Sequence, residues 1–157
     1  MYNDIARNKR KTVLLVSFFS IIILLLGWVF GAQNGDVVSG IVIAGVISLV
    51  MTLISYYQGD RVALKVSGAR SIAKQDAPEL YRLVENLSIA QGVPMPAVYL
   101  IKDSSPNAFA TGRDPKHASV AVTTGLIQLL DKLELEGVLA HELSHIRNYD
   151  IRVMTIV

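Results

Sequence analysis

Two long uncharged stretches dominate the first part of the chain. Residues 13–30 are rich in Ile, Leu, Val and Phe, residues 37–57 are rich in Ile, Val and Leu, and neither stretch contains Asp, Glu, Lys or Arg. As helices that rise about 1.5 Å per residue, they would be roughly 27–31 Å long, which is the thickness of a bilayer's hydrocarbon core. An Asn-Gly turn signal lies between them. The pattern predicts a transmembrane helical hairpin over residues 1–58, in which Gly40, Ala44 and Gly45 either allow close packing or are ordinary small residues.

Basic residues give this hairpin an orientation. They are absent from its loop and flank it on both sides, at Arg7, Lys9, Arg10 and Lys11 and at Arg61, Lys65, Arg70 and Lys74. The positive-inside rule therefore places both ends in the cytoplasm. A cleaved signal peptide is one alternative, but the first run exceeds the usual apolar region of about 7–15 residues and a second span follows. A hairpin buried in a soluble protein is another, although the remaining chain is too short to cover it.

After a polar connector at residues 59–75, the apolar positions follow the period of an amphipathic helix at about residues 77–91. The apolar face of this helix consists of Leu80, Leu83, Val84, Leu87 and Ala90. Asp76 and Glu79 predict a capping box at its start, and Gly92 predicts its end. We interpret this helix as structural.

Three short apolar runs follow, at residues 97–101, 107–112 and 118–123, and they predict strands. A turn signal at residues 112–115 separates the second strand from the third. The three strands together predict a small antiparallel sheet.

Two helices complete the pattern. The first covers about residues 124–130, with Thr123 or Thr124 as its cap, and the second runs from about residue 132 to residue 148. Asp131 and Glu134 predict a capping box for the second helix, whose buried stripe is Leu135, Val138, Leu139, Leu143 and Ile146. The predicted fold class is α+β, with the hairpin first and helices packed on a small sheet in residues 76–157.

Composition limits the chemistry that this chain can perform. It has no cysteine, which excludes thiolate metal sites, disulfides and a cysteine nucleophile. A net charge of +2 is too small to suggest a nucleic-acid partner. The mean hydropathy of +0.43 is high for a soluble domain, as the hairpin explains. The sequence does not determine an oligomeric state.

The second long helix carries the pattern His141-Glu142-Leu143-Ser144-His145, which includes two of the three histidines in the chain. Positions four apart lie on one face of a helix, so both imidazoles can hold one zinc ion. Glu142 is placed to activate a metal-bound water as a general base. We therefore predict one Zn²⁺ held by His141 and His145, with Glu142 catalytic, although such ligands also suit other divalent metals. Two ordinary histidines are the alternative.

A catalytic zinc needs a third protein ligand, and the sequence offers no clear one. His117 follows a predicted turn and is best explained as an exposed loop histidine. Asp150 comes five positions after His145, off the ligand face of a regular helix, so it is either a group that supports a ligand, a cap, or polar surface. Glu134 and Glu136 are expected to be capping or solvated.

Several segments together resemble the HtpX-type membrane zinc proteases, relatives of the CAAX prenyl proteases. The resemblance is carried by the double span, by residues 106–112 (PNAFATG), 122–126 (VTTGL) and 136–140 (EGVLA), and by the histidine motif followed by Asn148 and Asp150. It covers essentially the whole chain.

This resemblance implies an endopeptidase of misfolded or damaged membrane proteins, active in the stress response at the cytoplasmic face of a bacterial inner membrane. It implies that His141 and His145 are zinc ligands and Glu142 the catalytic base. The family's third ligand is a glutamate on a later helix, so it is expected beyond Val157. The chain would then be the N-terminal part of such a protease and inactive alone.

Residues 107–112 have a second interpretation beside a plain structural strand. An exposed edge strand beside a metal site can pair with an extended peptide, and the resemblance supports this role. Asn107, Ala108, Phe109 and Ala110 are therefore predicted to bind protein or peptide substrates, while Arg113 is expected at the surface.

A function from a different class is also open. The chain can instead be a non-catalytic scaffold or interaction module anchored in membrane lipid. Continuation of the gene past Val157 with further apolar segments and a downstream glutamate would favour the protease, and a true stop would favour the scaffold.

Overall fold

The computed structural model describes residues 2–156 and the side chains of residues 5–153 and 155. Two long helices come first, and a domain of four short strands and four helices follows. The helices are α1 (Tyr2–Gln33), α2 (Val37–Val66), α3 (Pro78–Gln91), α4 (Thr124–Leu129), α5 (Lys132–Arg147) and α6 (Asp150–Ile156), and the strands are β1 (Arg70–Ser71), β2 (Ala97–Ile101), β3 (Ala108–Gly112) and β4 (Ala118–Thr123). The predicted α+β class, with a helical hairpin before the sheet, is confirmed.

Helices α1 and α2 form the predicted hairpin and are long and apolar enough to cross a membrane. Most of their large apolar side chains face outward; Leu26, for example, is 63% exposed. A hairpin that formed the core of a soluble domain would bury these side chains instead. The exposed apolar surface therefore favours a lipid environment over the buried alternative.

The two helices contact each other through small residues. A Cβ added to Gly40 would lie 2.4 Å from the carbonyl oxygen of Gly27 and 2.8 Å from the Cα of Gly31, and a Cβ added to Gly27 would lie 2.4 Å from the Cβ of Ala44. Glycine at these positions thus brings the two backbones into direct contact, as small residues do in membrane helix pairs. Of the two interpretations of Gly40 and Ala44, close packing is the one that the structure supports.

The polar connector is more ordered than its composition indicates. Helix α2 continues through Val66, so much of the predicted connector at residues 59–75 is helical. Leu64 is buried and packs with Ile101 and Ala121 of the sheet. This contact extends the helix beyond the uncharged run and fixes its end against the domain.

The sheet has the strand order β1-β2-β4-β3 and is mixed. Strands β1 and β3 are antiparallel to their neighbours, whereas β2 and β4 are parallel. The prediction of an all-antiparallel sheet is therefore wrong. Strand β4 lies between β2 and β3, and all of its residues are buried. Strand β3 lies along the outer side of β4 and forms part of the connection that the parallel strands β2 and β4 require. Apolar patterning shows that a segment is a strand but does not give its direction.

Large apolar side chains fill the space between the sheet and helices α3 and α5. The best-buried members include Val84, Val120, Leu139, Leu143 and Ile146. The predicted apolar face of α3 is buried except for Ala90, which is exposed. Gly92 ends α3 in the left-handed conformation, as predicted.

The start of α3 differs from the predicted capping box. Pro78 occupies the first turn, and Ala77 precedes it without a side-chain cap. The Asp76 carboxylate instead accepts a hydrogen bond from the Ala73 backbone N–H at 2.7 Å. Proline is favoured at the first helical position because it lacks the N–H that would need a partner there, which explains why the prediction of a capping box by Asp76 and Glu79 is wrong.

Candidate active site

Helix α5 is fixed at its start and along one face. Asp131 accepts hydrogen bonds from the backbone N–H groups of Leu133 and Glu134, and the Glu134 carboxylate accepts one from the Asp131 backbone N–H. This reciprocal capping box is the one that the sequence predicts. The buried stripe of Leu135, Leu139, Leu143 and Ile146, with Val138 half-buried, holds the helix against the core. The opposite face, which bears the two histidines, is left accessible.

His141 and His145 bring their Nε2 atoms to 3.1 Å from each other. Two nitrogens bound to one tetrahedral zinc, each at about 2.0–2.1 Å, are separated by roughly 3.3 Å. The pair therefore lies within a few tenths of an ångström of the spacing that zinc needs. Two neutral imidazoles are also the nitrogen ligands that zinc prefers. The residues present fit a zinc ion as far as these two ligands go.

Asp150 supports this arrangement from the other side of the His145 ring. Its Oδ2 lies 3.0 Å from His145 Nδ1. An Nδ1–H that donates to this carboxylate leaves the Nε2 lone pair for a metal. Of the roles that the sequence left open for Asp150, the structure favours that of a group that orients a ligand.

A break between two helices makes this contact geometrically possible. Helix α5 ends at Arg147, and Tyr149 adopts φ 61°, which is the left-handed region and is uncommon outside glycine. The chain turns there and begins α6 at Asp150. In an uninterrupted helix Asp150 would leave the ligand face, as its spacing from His145 indicates.

Glu142 contacts the edge strand of the sheet. Its Oε2 accepts a hydrogen bond of 3.1 Å from the backbone N–H of Ala110 in β3. This contact fixes the carboxylate against β3, on the helix that also carries the histidine pair. The sequence could not show it, because 32 residues separate the two partners.

The register of β3 decides which of its backbone groups face this site. The Asn107 carbonyl accepts from Thr123 N–H, towards β4. Because backbone groups alternate in direction along an antiparallel strand, those of Ala108 and Ala110 point away from β4. Strand β3 lies at the edge of the sheet, a position that the sequence left open. Of the four predicted substrate-binding residues, only Ala108 and Ala110 present their main chain outward, whereas Asn107 and Phe109 direct theirs to β4.

His117 contacts Asp114 and not the histidine pair. It is half exposed, and its Nδ1 is 2.8 Å from Asp114 Oδ1. Burial raises the pKa of Asp114, but hydrogen bonds from the His117 ring and the backbone N–H groups of Lys116 and His117 outweigh it, so that pKa is below its usual value. The predicted exposure of His117 is confirmed, although the residue ends a short 3-10 helix (Pro115–His117) and does not lie in an irregular loop.

No group of three potential metal-ligating side chains occurs in the part of the chain that the structure describes. Glu134 is a helix cap, as expected.

One residue that contacts the site, Asn8, could not be identified from the sequence. It lies on α1 and contacts Asp150 across 142 positions, and a single asparagine among basic residues gives no local signal of such a contact.

The sequence of this chain is similar to that of known peptidases. Residues 73–157 match peptidase family M48. Proteins named Protease HtpX homolog are similar over almost the whole chain: one from Ligilactobacillus salivarius is 49% identical over 156 residues, and one from Tropheryma whipplei is 48% identical over 157 residues. The match covers 99–100% of this chain and 53% of each relative, so the chain spans about half of their length.

The fold is also similar to that of a solved structure. The crystal structure of Ste24p from S. mikatae superposes with a TM-score of 0.55 at 20% identity, and it matches 99% of this chain and 36% of that protein. At this identity the likeness shows the fold alone. It includes the two long helices as well as the domain, because almost all of this chain takes part.

Proposed function

This chain belongs to peptidase family M48, and on that premise we propose that it carries the central part of a membrane zinc endopeptidase site. Membership confirms the resemblance drawn from the sequence motifs and supports a membrane metalloprotease. Within that class we assign His141 and His145 as zinc ligands and Glu142 as the general base.

A single observation carries the proposal. Two histidine Nε2 atoms lie 3.1 Å apart on one helix, and the carboxylate next to His141 is held by the N–H of an edge strand. A metal-binding pair, a base and a peptide-binding edge are the three parts that hydrolysis of an extended peptide requires. An ordinary pair of surface histidines would have no reason to be placed beside the other two.

The roles of the residues follow from their positions. When bound, zinc supplies a Lewis acid that polarises the scissile carbonyl and acidifies the attacking water. Glu142, held through Oε2 by Ala110, takes a proton from that water through Oε1 and delivers it to the leaving amine nitrogen. No covalent enzyme intermediate is needed. Asp150 holds His145 in the tautomer that presents Nε2.

Strand β3 supplies the substrate-binding surface in this proposal. The outward N–H and C=O of Ala108 are the paired donor and acceptor that an antiparallel peptide strand engages. The Ala110 N–H already binds Glu142, so the peptide uses the Ala110 carbonyl alone. Backbone pairing selects an extended conformation with little regard to side chains, which suits a protease of unfolded segments of membrane proteins.

The third zinc ligand is proposed to come from the remainder of the full-length protein. The matched relatives are nearly twice as long as this chain, and a catalytic zinc takes three protein ligands. We further propose that the site faces the cytoplasm, because basic residues flank the hairpin and are absent from its loop. The isolated chain is accordingly expected to show little or no peptidase activity.

The test compares two carboxylate variants of α5 in the full-length protein. Glu142→Gln should lower the rate of peptide cleavage by about 10²–10⁴-fold, while zinc stoichiometry stays at the wild-type value. Glu136→Gln is the matched control, because it removes a carboxylate from the same helix six residues away, and it should cleave normally. Undiminished cleavage by Glu142→Gln would overturn the assignment of the base. A wild-type protein that binds zinc and cleaves nothing would instead favour the scaffold.

A further inference from the structure

We propose that Asn8, on the first helix of the membrane hairpin, is a positioning residue for the metal ligand His145 and acts through Asp150. The inference rests on the proposed zinc site. It adds that this site is supported in part by α1, which is far from it in sequence and belongs to the membrane-spanning hairpin.

The Asn8 side chain is polar and almost fully buried, with 6% exposure. Its Nδ2 donates to the Asn148 carbonyl oxygen at 3.1 Å and also to Asp150 Oδ1. A buried amide is costly unless it is hydrogen-bonded. Both of its donated bonds go to the segment directly after the histidine motif, so this segment is what stabilises the buried amide.

The two contacts lie on either side of the chain reversal at Tyr149. Asn148 is the C-cap residue of α5, and Asp150 is the first residue of α6. By holding both, Asn8 fixes the left-handed turn that brings the Asp150 carboxylate back to His145. Tyrosine rarely adopts the left-handed conformation, here φ 61°. Hydrogen bonds from another helix therefore help to stabilise the turn.

The Asp150 carboxylate is held at both oxygens. Asn8 donates to Oδ1, and Oδ2 lies 3.0 Å from His145 Nδ1. A carboxylate with a single donor rotates about its last bond, whereas two donors on two oxygens define its plane. The direction of the His145 ring, and with it the position of Nε2, is thereby coupled to α1.

Two neighbours of Asn8 on α1, Thr12 and Lys9, make different contacts. Thr12 lies one turn further on and is equally buried, at 7% exposure, but its hydroxyl donates to the Asn8 carbonyl within α1. Lys9 stacks on the Tyr149 ring at 4.8 Å from its centroid. Thr12 is therefore a matched control for a buried polar residue of α1 that has no bond to the motif.

The test measures zinc affinity of the full-length protein in detergent, by competition with a chromophoric chelator. Asp150→Ala should weaken zinc binding by about 10–100-fold, as loss of a group that orients a ligand usually does. Asn8→Ala should weaken it by a smaller factor, and Asn8→Ala/Asp150→Ala should bind zinc as Asp150→Ala does, because the effect of Asn8 passes through Asp150. Thr12→Val should keep the wild-type affinity.

Cobalt substitution provides a second readout that general packing would not change. The visible ligand-field bands of the Co²⁺ protein should shift in Asn8→Ala and stay unchanged in Thr12→Val. Asn8→Asp keeps the size of the side chain and replaces the donor with a like charge towards Asp150, so it serves if the alanine variant does not fold. It should weaken zinc binding at least as much.

The outcomes separate this inference from the proposed function. Wild-type zinc affinity and an unshifted cobalt spectrum in the Asn8 variants would overturn the positioning role, as would full additivity in the double variant. His141→Ala reports on the site itself: if it leaves zinc affinity unchanged, the proposed metal centre is wrong, whatever Asn8 does.

Discussion

The membrane hairpin and the domain after it use large apolar side chains in opposite ways. In the hairpin these side chains point outward, and α1 and α2 meet through Gly27, Gly40 and Ala44. In the domain Leu139 and Leu143 point inward and are fully buried, while the accessible face carries the histidines. The difference shows that one residue type serves two solvents, since lipid covers apolar surface in one region and protein covers it in the other.

The largest expected effect tests this difference with one substitution placed in each region. Leu139→Ala should lower the free energy of unfolding by about 2–5 kcal/mol, because it removes a fully buried side chain and leaves a cavity. Leu26→Ala in α1 removes the same atoms from an outward-facing position and should change stability much less. Thermal unfolding in detergent measures both, with the exposed Leu133→Ala as the control in the domain. Equal losses at Leu139 and Leu26 would contradict the comparison.

A second change targets the backbone contact that holds the hairpin together. Gly40→Ala should destabilise the protein by about 1–3 kcal/mol, because the new Cβ would meet the Gly27 carbonyl oxygen at 2.4 Å. Gly45→Ala is the matched control, since its Cβ would find only Leu24 Cδ2 at 3.7 Å. The shift in the unfolding midpoint in detergent should separate the two variants. If both behave alike, the close approach of the helices is not what stabilises the hairpin.

Helix caps offer a smaller contrast between the regions. Asp131→Ala removes the capping box of α5 and should cost about 1 kcal/mol, by the usual range for such caps. Asp36→Ala removes the cap of α2, whose carboxylate accepts from the Ser39 N–H. We expect a smaller loss of stability from Asp36→Ala. A helix in lipid keeps its backbone hydrogen bonds because lipid offers the backbone groups no other partner. Unfolding midpoints of the two variants test this order.

The smallest expected effect concerns pH and the turn before β4. The pKa of Asp114 is lowered in the fold because the hydrogen bonds from His117 and the backbone outweigh burial, so its stabilising contribution is present above the unfolded pKa of about 3.9 and is lost as pH falls through the lower folded value. Asp114→Asn should therefore be less stable than wild type at pH 6. The difference should shrink as the pH falls below about 4. A difference that stays constant down to pH 2 would refute this origin.

The features that sequence analysis located correctly are those decided by neighbouring residues. The α5 capping box depends on Asp131 and Glu134, which are three positions apart, and the apolar stripe of α5 follows from helical spacing alone. The close pair of histidines is predictable for the same reason. The ends of β2 and β4 are marked by proline, charge and turn residues close to them in the chain.

The features that it missed depend on distant partners or on backbone conformation. The parallel pairing of β2 with β4 joins strands that are separated in the chain by β3, and alternation carries no direction. The left-handed position itself is a tyrosine, Tyr149, and not a glycine or asparagine, so the return of Asp150 to His145 could not be seen. Asn8 and Ala110 reach the site from other elements, and helix α2 extends past its apolar run because Leu64 is buried against the sheet.

Side chains that hydrogen-bond to the outer edge of β3 also bear on aggregation of the protein. An uncovered sheet edge is a template for association with another chain, yet here Glu142 occupies the Ala110 N–H and Thr155 accepts from the Gly112 N–H at 3.2 Å. The residue proposed as the base thus also covers part of this edge. Glu142→Ala would lose the proposed base and also leave the Ala110 N–H open, whereas Glu142→Gln keeps an acceptor for Ala110. The glutamine variant is therefore the one in which inactivity and insolubility can be told apart.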